Sequence, residues 1–485
     1  MSEKPILLWF RQDLRLSDNP ALAAAVETGA PVLPVYVLDD ETPGRWAPGG
    51  ASRWWLHHSL SELSNRLTKR GSALHLVRSR DAAETIRALA TETDAAAVYW
   101  NRCYEPFAVE RDTKLKQTLQ AADIGAESFN AALLFEPWEV KTKSGTPPKV
   151  FSPYWRALRA LGDPAAPEPA PDEIRGSSAP SKSDSLDDWR LLPTRPNWAN
   201  GFHTDWKPGE DSAQARLDWF LENALENYKD GRNFPAKPCV SRLSPHLHFG
   251  EISPRQIWHR TIAFCHAEDR NPFSGSAEHF LKELVWREFS HSLLYHNPKL
   301  PEACLRPEFE NFPWDRSDTT LQAWQHGRTG IPIVDAGMRE LWQTGYMHNR
   351  VRMICASFLI KHLMVDWREG EAWFWDTLLD ADLANNAASW QWVAGSGADA
   401  APYFRIFNPV LQGEKFDPDG AYTRRWVPEL ADVPDRYLQK PWEAPGNPAP
   451  DYPTRIVDLA AGRDRALAAY KGLGDTDSER SAAWG

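Results

Sequence analysis

Short apolar runs alternate with amphipathic stretches over the first 130 residues. Four runs, ILLWF (6–10), PVYVL (34–38), LHLV (74–77) and AVYW (97–100), are predicted to be buried strands. Residues 51–70 and 105–122, which lie between or after them, have the apolar spacing of helices. Regular alternation of strands and helices predicts a parallel sheet with helices on both faces.

Helical spacing dominates from residue 213 onward. The stretches with this spacing are 213–228, 254–266, 276–296, 334–342, 347–364 and 370–379. Residues 162–212 are instead rich in Pro, Ala, Ser and Asp with little periodicity, which is typical of a connector. A disordered insertion is the alternative, although Trp189, Trp198 and Trp206 favour partial docking. We predict an α/β domain (1–135), a connector (136–212), an α-helical domain (213–470) and a short frayed tail (471–485).

Composition narrows the class of protein. The chain has 485 residues, of which 42% are hydrophobic, enough to fill more than one core. Its net charge of −11 excludes a generally basic nucleic-acid coat, although a local basic face could still bind DNA. The five cysteines are scattered without a CxxC pair, which favours a reducing cytoplasm over a disulfide framework or zinc site. Without an apolar run long enough for a signal or a membrane span, we expect a soluble cytoplasmic protein.

Tryptophan is unusually frequent. The 24 tryptophans far outnumber the 5 methionines, so we expect some indoles to meet ligands or carry electrons while most are structural. After the first strand the chain reads RQDLRLSDNP, without the GxGxxG fingerprint of a dinucleotide-binding Rossmann unit. A ligand can still bind such a sheet at its topological switch point.

The stretch from Asp380 to Phe416 carries the densest candidate chemistry. It reads DADLANNAASWQWVAGSGADAAPYFRIFNPVLQGEKF, with acids, an Asn pair and two tryptophans among small residues. Small residues are expected where backbone passes close to a flat ligand, but the residues alone leave an irregular, well-packed segment equally open. The text DLANN, WQW and PYFRIFNP, together with WFRQDLRLSDNPAL near the N-terminus, resembles the photolyase/cryptochrome family. The resemblance is closest to bacterial cyclobutane pyrimidine dimer photolyases and weakest over 140–210.

This resemblance implies a non-covalently bound FAD that is active as the reduced anion. Residue spacing adds that the VSRLS turn at a helix start suits a pyrophosphate, or else is an ordinary Ser-capped helix. In the family pattern Arg352 is a candidate ion-pair partner of Asp380, and Asn386 faces flavin N5, where plant cryptochromes carry Asp. The expected cofactor-binding residues are Tyr228, Val240, Ser241, Arg242, Leu243, Ser244, Asn349, Arg352, Asp380, Asp382 and Asn386.

A lesion pocket is implied as well. Glu283 and Trp286 share one face of a helix, and from spacing alone they could be a surface Glu and a Trp that caps the core. By resemblance, Trp286 and Trp392 would flank an extruded pyrimidine dimer that Glu283 hydrogen-bonds. Asn349 and Met353 stand where six-four photolyases carry His, so they indicate the cyclobutane lesion. The expected catalytic residues are Glu283, Trp286, Asn349, Met353 and Trp392, and the expected DNA contacts are Glu283, Trp286, Arg287, Asn349, Arg350 and Trp392.

Three tryptophans, Trp390, Trp367 and Trp314, match the family's electron relay from flavin to surface, although spacing alone leaves three core indoles open. We take His246, His248 and Glu251 as structural and expect no metal site. The resemblance implies a monomeric, light-dependent DNA lyase acting on ultraviolet-damaged DNA in the bacterial cytoplasm, associated with the nucleoid when bound to DNA. The alternative is a cryptochrome-type blue-light sensor without repair activity.

A second, light-harvesting chromophore is also expected in the N-terminal domain, either a folate or a deazaflavin. Some relatives hold a folate through an Asn-Glu pair after the fourth strand, whereas this chain reads CYEPFAVERD there. The sequence therefore leaves the identity of that chromophore open.

Overall fold

The computed structural model describes residues 3–178, 182–399 and 404–482. The chain divides into two units. The first unit comprises Met1–Glu226, Ser241–Pro298 and Leu379–Leu383, and the second comprises Asn227–Val240, Lys299–Leu378 and Ala384–Gly485. Residues Ala400–Tyr403, which belong to the candidate stretch that starts at Asp380, lie outside the described ranges.

A parallel five-stranded sheet forms the centre of the first unit. Its strands are β1 (Ile6–Phe10), β2 (Val32–Asp39), β3 (His75–Ser79), β4 (Ala97–Asn101) and β5 (Gly125–Phe129), in the order β3-β2-β1-β4-β5. All five residues of β1 are buried, as expected for a central parallel strand covered on both faces. The α/β prediction is therefore confirmed, with one strand more than the apolar runs had indicated.

The rest of the described chain is mainly helical, which confirms the second half of the predicted fold class. The α-helices are α1 (Pro20–Glu27), α2 (Gly50–Thr68), α3 (Ala82–Glu92), α4 (Pro106–Ala121), α5 (Phe151–Ala160), α6 (Phe202–Asp205), α7 (Glu210–Asn223), α8 (Tyr228–Gly231), α9 (Ser244–His248), α10 (Pro254–Ala267), α11 (Gly275–His296), α12 (Asp318–Gln325), α13 (Pro332–Thr344), α14 (Asn349–Ser357), α15 (Trp367–Thr377), α16 (Leu383–Ala394), α17 (Pro409–Phe416), α18 (Ala421–Trp426), α19 (Asp435–Leu438) and α20 (Leu459–Ala482). Within the described ranges, no helix combines the length and apolar character needed to cross a membrane.

Two helical stretches differ from their predicted form. The periodic stretch 347–364 is α14 followed by one π-helical turn, Phe358–His362, in which Lys361 is buried and donates to the backbone oxygen of Arg405. Helix α20 runs to Ala482, into the segment where a frayed tail was expected. The predicted domain boundaries remain a prediction.

The loop after β1 is held by a buried arginine. Arg15 is 1% exposed, and its guanidinium donates to the backbone oxygens of Ser17, Asp18, Ala131 and Gly250. At Gly250 the backbone has φ +66°, and a Cβ there would lie 2.1 Å from the Gln12 oxygen. Packing within the first unit therefore accounts for Arg15 in the RQDLRLSDNP sequence, because its side chain donates to carbonyl oxygens that would otherwise be buried without a donor.

The connector packs along the edge of the sheet. Val32 of β2 donates its N–H to the Arg175 oxygen at 2.7 Å and accepts from Ser177 N–H at 2.9 Å. Further along, Asp184 N–H donates to the Leu76 oxygen in the edge strand β3 at 2.8 Å, and the Asp184 carboxylate accepts from Arg78 N–H at 2.6 Å. This segment therefore supplies backbone and side-chain partners to strand edges that would otherwise be open.

Candidate functional site

Two separated sequence segments meet in the first unit. The Ser244 hydroxyl, at the start of α9, donates to Asp380 Oδ2 at 2.5 Å, so the VSRLS turn lies beside the DAD sequence. Within that turn Arg242 has φ +53°, a left-handed conformation that is rare for a residue with a side chain and is concentrated at binding sites. The Arg242 guanidinium lies 4.3 Å above the Trp206 ring. The structure thus brings the turn expected at a pyrophosphate beside Asp380, which was expected next to the flavin ring.

A buried charge pair lies behind this turn. Asp382 Oδ2 is 3.4 Å from His291 Nε2, and His291 Nδ1 is 3.0 Å from the Arg287 backbone oxygen, so the imidazole has an acceptor at each nitrogen. Burial alone would lower the pKa of His291, but the Asp382 carboxylate outweighs it and the pKa is raised. Burial would likewise raise the pKa of Asp382, but His291 and Arg287 hold it well below its usual range. The pairing therefore favours the charged form of both side chains.

Arg287, expected at DNA, is turned inward. Its side chain is 13% exposed and donates to the Ala132 backbone oxygen at 2.6 Å. Because it also holds down the pKa of Asp382, this geometry favours an electrostatic role within the first unit.

Of the three residues that resemble a metal cluster, His246 and Glu251 have hydrogen-bond partners within the protein. His246 Nδ1 is 2.5 Å from Glu251 Oε2, and Glu251 Oε1 accepts from Trp55 Nε1 at 3.0 Å and from Gly209 N–H at 2.8 Å. His248 is partly buried, and its loss of solvation lowers its pKa. In the described part of the chain, no group of three or more His, Cys, Asp or Glu side chains could hold a metal ion.

Helix α11 carries Glu283 and Trp286, both of which are partly exposed, while Leu281, Leu284 and Phe289 on the same helix are buried. The Trp286 indole stacks on Phe151 of α5, with ring centroids 3.8 Å apart and planes 4° from parallel. No sequence signal pointed to this neighbour, because Phe151 lies in the stretch where the resemblance is weakest.

In the second unit, α14 carries Asn349, Arg350, Arg352 and Met353. It begins at His348, whose Nδ1 accepts from Arg350 N–H at 3.2 Å. Burial, together with Arg352 and Arg350, lowers the pKa of His348 to about 3, so the cap is neutral. The sequence did not single out His348, because histidine is not among the usual capping residues.

The side chains of α14 have distinct surroundings. Asn349 is exposed and Met353 is partly exposed. Arg350 donates to Asn233 Oδ1 at 2.5 Å and lies 4.5 Å above the Phe416 ring, while Arg352 Nε donates to the Met347 oxygen at 2.7 Å. Tyr228, on α8 of the same unit, is 7% exposed.

Helix α16 fixes the amide and indoles of the candidate stretch. Asn386 is 8% exposed, and its Nδ2 donates to the Glu371 backbone oxygen at 3.0 Å. Gln391, which lies between the two tryptophans in the sequence, is fully buried, and its Nε2 donates to the backbone oxygens of Leu300 and Ala303. Trp392 Nε1 donates to the Asp399 oxygen at 3.1 Å. These buried hydrogen bonds of Gln391 account for the glutamine between the two tryptophans of WQW as a structural residue.

The relay tryptophans differ in exposure. Trp390 and Trp367 are 2% and 0% exposed, whereas Trp314 is partly exposed and lies 4.4 Å from the Phe312 ring. The Trp390 ring covers Gly370, and a further indole, Trp324, makes an edge contact with it at 6.2 Å. Trp324 is a neighbour that the spacing did not identify.

Each unit, taken by itself, contains polar groups of the kind that bind a nucleotide cofactor. In the first, an exposed Ser244 hydroxyl and a left-handed turn lie beside Asp380. In the second, the buried atoms Arg350 Nε and His348 Nε2 have no hydrogen-bond partner among the described residues. Buried polar atoms of native proteins usually have partners, so these two atoms are candidates for contact with a polar ligand. Hydroxyl, guanidinium and amide groups suit phosphate, ribityl and ring-edge atoms, respectively.

A parallel α/β module followed by a helical module with this polar and aromatic set defines a flavoprotein of the photolyase and cryptochrome class. Residues 6–172 match the model of DNA photolyase, and residues 280–472 match that of the FAD binding domain of DNA photolyase. The chain belongs to the DNA photolyase family, and FAD is its cofactor.

Two curated relatives place the chain within this family. It is 51% identical over 480 residues to a deoxyribodipyrimidine photo-lyase of Agrobacterium fabrum, covering 97% of this chain and 98% of the relative. It is 38% identical over 475 residues to Cryptochrome-1 of Arabidopsis thaliana, covering 95% of this chain and 69% of the relative. The photolyase is thus the nearer of the two.

Solved structures agree with the fold. A bacterial class III photolyase from Agrobacterium tumefaciens superposes with a TM-score of 0.93 at 50% identity, covering 98% of both chains. An archaeal photolyase from Sulfolobus tokodaii with two FAD molecules gives a TM-score of 0.81 at 30% identity, covering 96% of this chain and 100% of that one.

Proposed function

We propose that this protein is a deoxyribodipyrimidine photolyase that repairs cyclobutane pyrimidine dimers in ultraviolet-damaged DNA under blue light. The observation that carries the choice of lesion is helix α14, where the exposed Asn349 and the partly exposed Met353 stand in place of the two histidines of six-four enzymes. The identity of 51% to a photolyase supports repair over signalling.

When bound and reduced, FAD supplies the photoexcited electron that opens the cyclobutane ring and is regained afterwards. The protein's residues place the substrate. Trp286 and Trp392 stack on the dimer, Glu283 hydrogen-bonds its carbonyl edge, and Asn349 reads the same edge from α14. Flipping is cheapest at a damaged, poorly stacked site, so the pocket selects lesions partly through the weakness of the duplex.

Charges around the flavin are the second contribution of the protein. Arg352 supplies a positive charge that stabilises the anionic reduced ring, and Asp380, which accepts a hydrogen bond from Ser244, also binds the cofactor. The neutral amide of Asn386 faces N5, with its orientation set by the hydrogen bond to the Glu371 oxygen. Tyr228, Val240, Ser241, Arg242, Leu243, Ser244 and Asp382 bind the remainder of the cofactor.

Trp390, Trp367 and Trp314 form the relay that returns oxidised flavin to its active state. Their exposure supports this assignment, since it rises from two buried indoles to the partly exposed Trp314. A second chromophore in the α/β module harvests light. The archaeal photolyase from Sulfolobus tokodaii holds two FAD molecules, which imply a novel light-harvesting cofactor there, and this supports a second site. Absorption of the supernatant after denaturation distinguishes folate from deazaflavin.

The deciding experiment is a repair assay with purified, chemically reduced protein under blue light, with a dark control. Cyclobutane and six-four lesions are assayed in parallel. We expect light-dependent loss of cyclobutane dimers alone, by a protein that elutes as a monomer. Repair of six-four lesions would contradict the reading of Asn349 and Met353. Failure to repair either lesion, with FAD bound and reduced, would favour a blue-light sensor.

Glu283→Ala tests the pocket directly. We expect repair per absorbed photon to fall while FAD remains bound, because the carboxyl contacts the lesion and not the cofactor. Glu278→Ala is the matched control, since Glu278 lies on the same helix and pairs with Lys282 at 2.9 Å. Loss of FAD in the Glu283 variant would mean that its role is assigned wrongly.

A further inference from the structure

The Trp286 indole is backed by a second aromatic ring. Phe151 lies parallel to it at 3.8 Å, and Phe289 meets its edge at 5.8 Å with planes 70° apart. We propose that Phe151 is a positioning residue, which holds the plane of Trp286 so that the opposite face of the indole receives a base of the lesion. The proposal rests on the function proposed above and adds a residue to its pocket.

Phe151 is itself firmly held. It is 8% exposed, and Tyr154 and Leu158, three and seven residues later on α5, are 1% and 0% exposed. Residues at these spacings share one helix face, so α5 is anchored along the side that presents Phe151. The Tyr154 ring also packs against Phe289 at 5.2 Å, which ties α5 to the helix that carries Trp286.

The end of α5 is fixed as well. Arg159 lies 3.6 Å above the Phe273 ring and forms an ion pair with Asp163 at 3.1 Å. A cation in the last helical turn also interacts favourably with the helix dipole. Phe151 is therefore presented by a helix that is anchored along its buried face and at its C-terminal end.

The stack restricts a side chain that would otherwise rotate. Two torsions orient an indole, and with a phenyl ring in face contact at 3.8 Å the indole cannot turn about its Cβ–Cγ bond unless Phe151 moves. Trp286 is partly exposed, so it can still meet a ligand. A ring already held in its binding orientation loses less conformational freedom on binding, which raises affinity.

The expected effect is on lesion binding. Phe151→Leu keeps an apolar side chain but removes the stack, and we expect the dissociation constant for dimer-containing DNA to rise about 2- to 12-fold, the range for ordering one side chain on binding. Binding of undamaged DNA should be unchanged. Phe151→Tyr should restore lesion binding, because it retains the ring.

Two further variants separate positioning from mere support of the fold. Leu158→Ala loosens the same helix without touching Trp286, so it should leave lesion binding near that of the wild type. In a Trp286→Leu background, Phe151→Leu should cause no further loss, because the two residues act through one ring. Equal losses in the Phe151 and Leu158 variants, or additive losses in the double variant, would overturn the proposal.

A spectroscopic readout keeps the proposal testable whatever the outcome of the repair assay. In protein labelled with 5-fluorotryptophan, the resonance absent from the Trp286→Phe variant belongs to Trp286. Phe151→Leu should shift and broaden this resonance, since the ring above it is lost, and Phe151→Tyr should not. An unchanged resonance would overturn the positioning role even if repair is found. A shifted resonance without repair by the wild type would leave the positioning of the indole standing and reject the proposed function.

Discussion

Replacing Asn386 by aspartate should make the protein's stability depend on pH in a defined direction. The Asn386 side chain is 8% exposed, and its Nδ2 donates to the Glu371 backbone oxygen at 3.0 Å. Asn386→Asp is nearly isosteric but puts an acceptor where the donor was. An ionised carboxylate would then face a carbonyl oxygen, and only a protonated carboxyl could keep the hydrogen bond.

The magnitude follows from the lost donor. A buried acceptor left without a partner costs about 1–3 kcal/mol, which corresponds to a rise of about 1–2 units in the pKa of the introduced carboxyl. Its pKa in the unfolded chain is about 3.9. Because the pKa in the folded state is the higher one, the variant loses little stability near pH 4. The deficit grows as pH rises towards about 6 and is complete at pH 8.

Urea unfolding at pH 4.0 and pH 8.0, followed by flavin release and circular dichroism, measures this. The midpoint of Asn386→Asp should lie clearly below that of the wild type at pH 8.0 and much closer to it at pH 4.0. Ser389→Asp is the control, because it adds the same charge to an exposed position of α16. An equal deficit at both pH values would refute the reasoning, since it would mean that the hydrogen bond to Glu371 does not control the ionisation.

Further outcomes are expected. Gly370→Ala would put a Cβ 2.1 Å from Trp390 Cη2, so the indole must shift. Photoreduction of oxidised FAD should therefore slow in this variant, and an unchanged rate would exclude Trp390 from the relay. Asp382→Asn leaves buried His291 without its carboxylate, which should cost about 3–5 kcal/mol at pH 6. Because the pKa of His291 is raised in the folded state, the pair stabilises the wild type fully below pH 6.5, and this stabilisation is lost as pH rises through the folded-state pKa. The deficit of the variant in the urea midpoint should therefore shrink by pH 8.5. An equal deficit at both pH values would contradict the charged pair. The dissociation constant for damaged DNA should rise steeply with salt; a flat dependence would argue against phosphate contacts.

Sequence patterns predicted four strands because each is an apolar run. They did not predict β5, whose sequence GAESF has only one buried position and reads as polar. The π-helical turn after α14 also escaped prediction, since the apolar period continues through it while the backbone hydrogen bonds change.

The candidate site was predictable as a set of residues but not as contacts. Resemblance supplied Ser244 and Asp380, and only the fold shows that their side chains meet across 136 residues of sequence. His291, the partner of Asp382, carried no signal of its own because a histidine within a helix is most often structural. Phe151 lay where the resemblance is weakest, so nothing in the sequence connected it with Trp286.

The docking of the connector has a consequence for self-association. Strand β3 lies at one edge of the parallel sheet. An uncovered edge strand is the usual template on which the sheets of separate molecules join. Here Asp184 forms hydrogen bonds with the backbone of β3 at Leu76 and Arg78. A chain shortened in this segment, or nicked there by a protease, would expose that edge to its neighbours. Its first defect would be aggregation at high concentration, before any loss of contact with flavin or DNA.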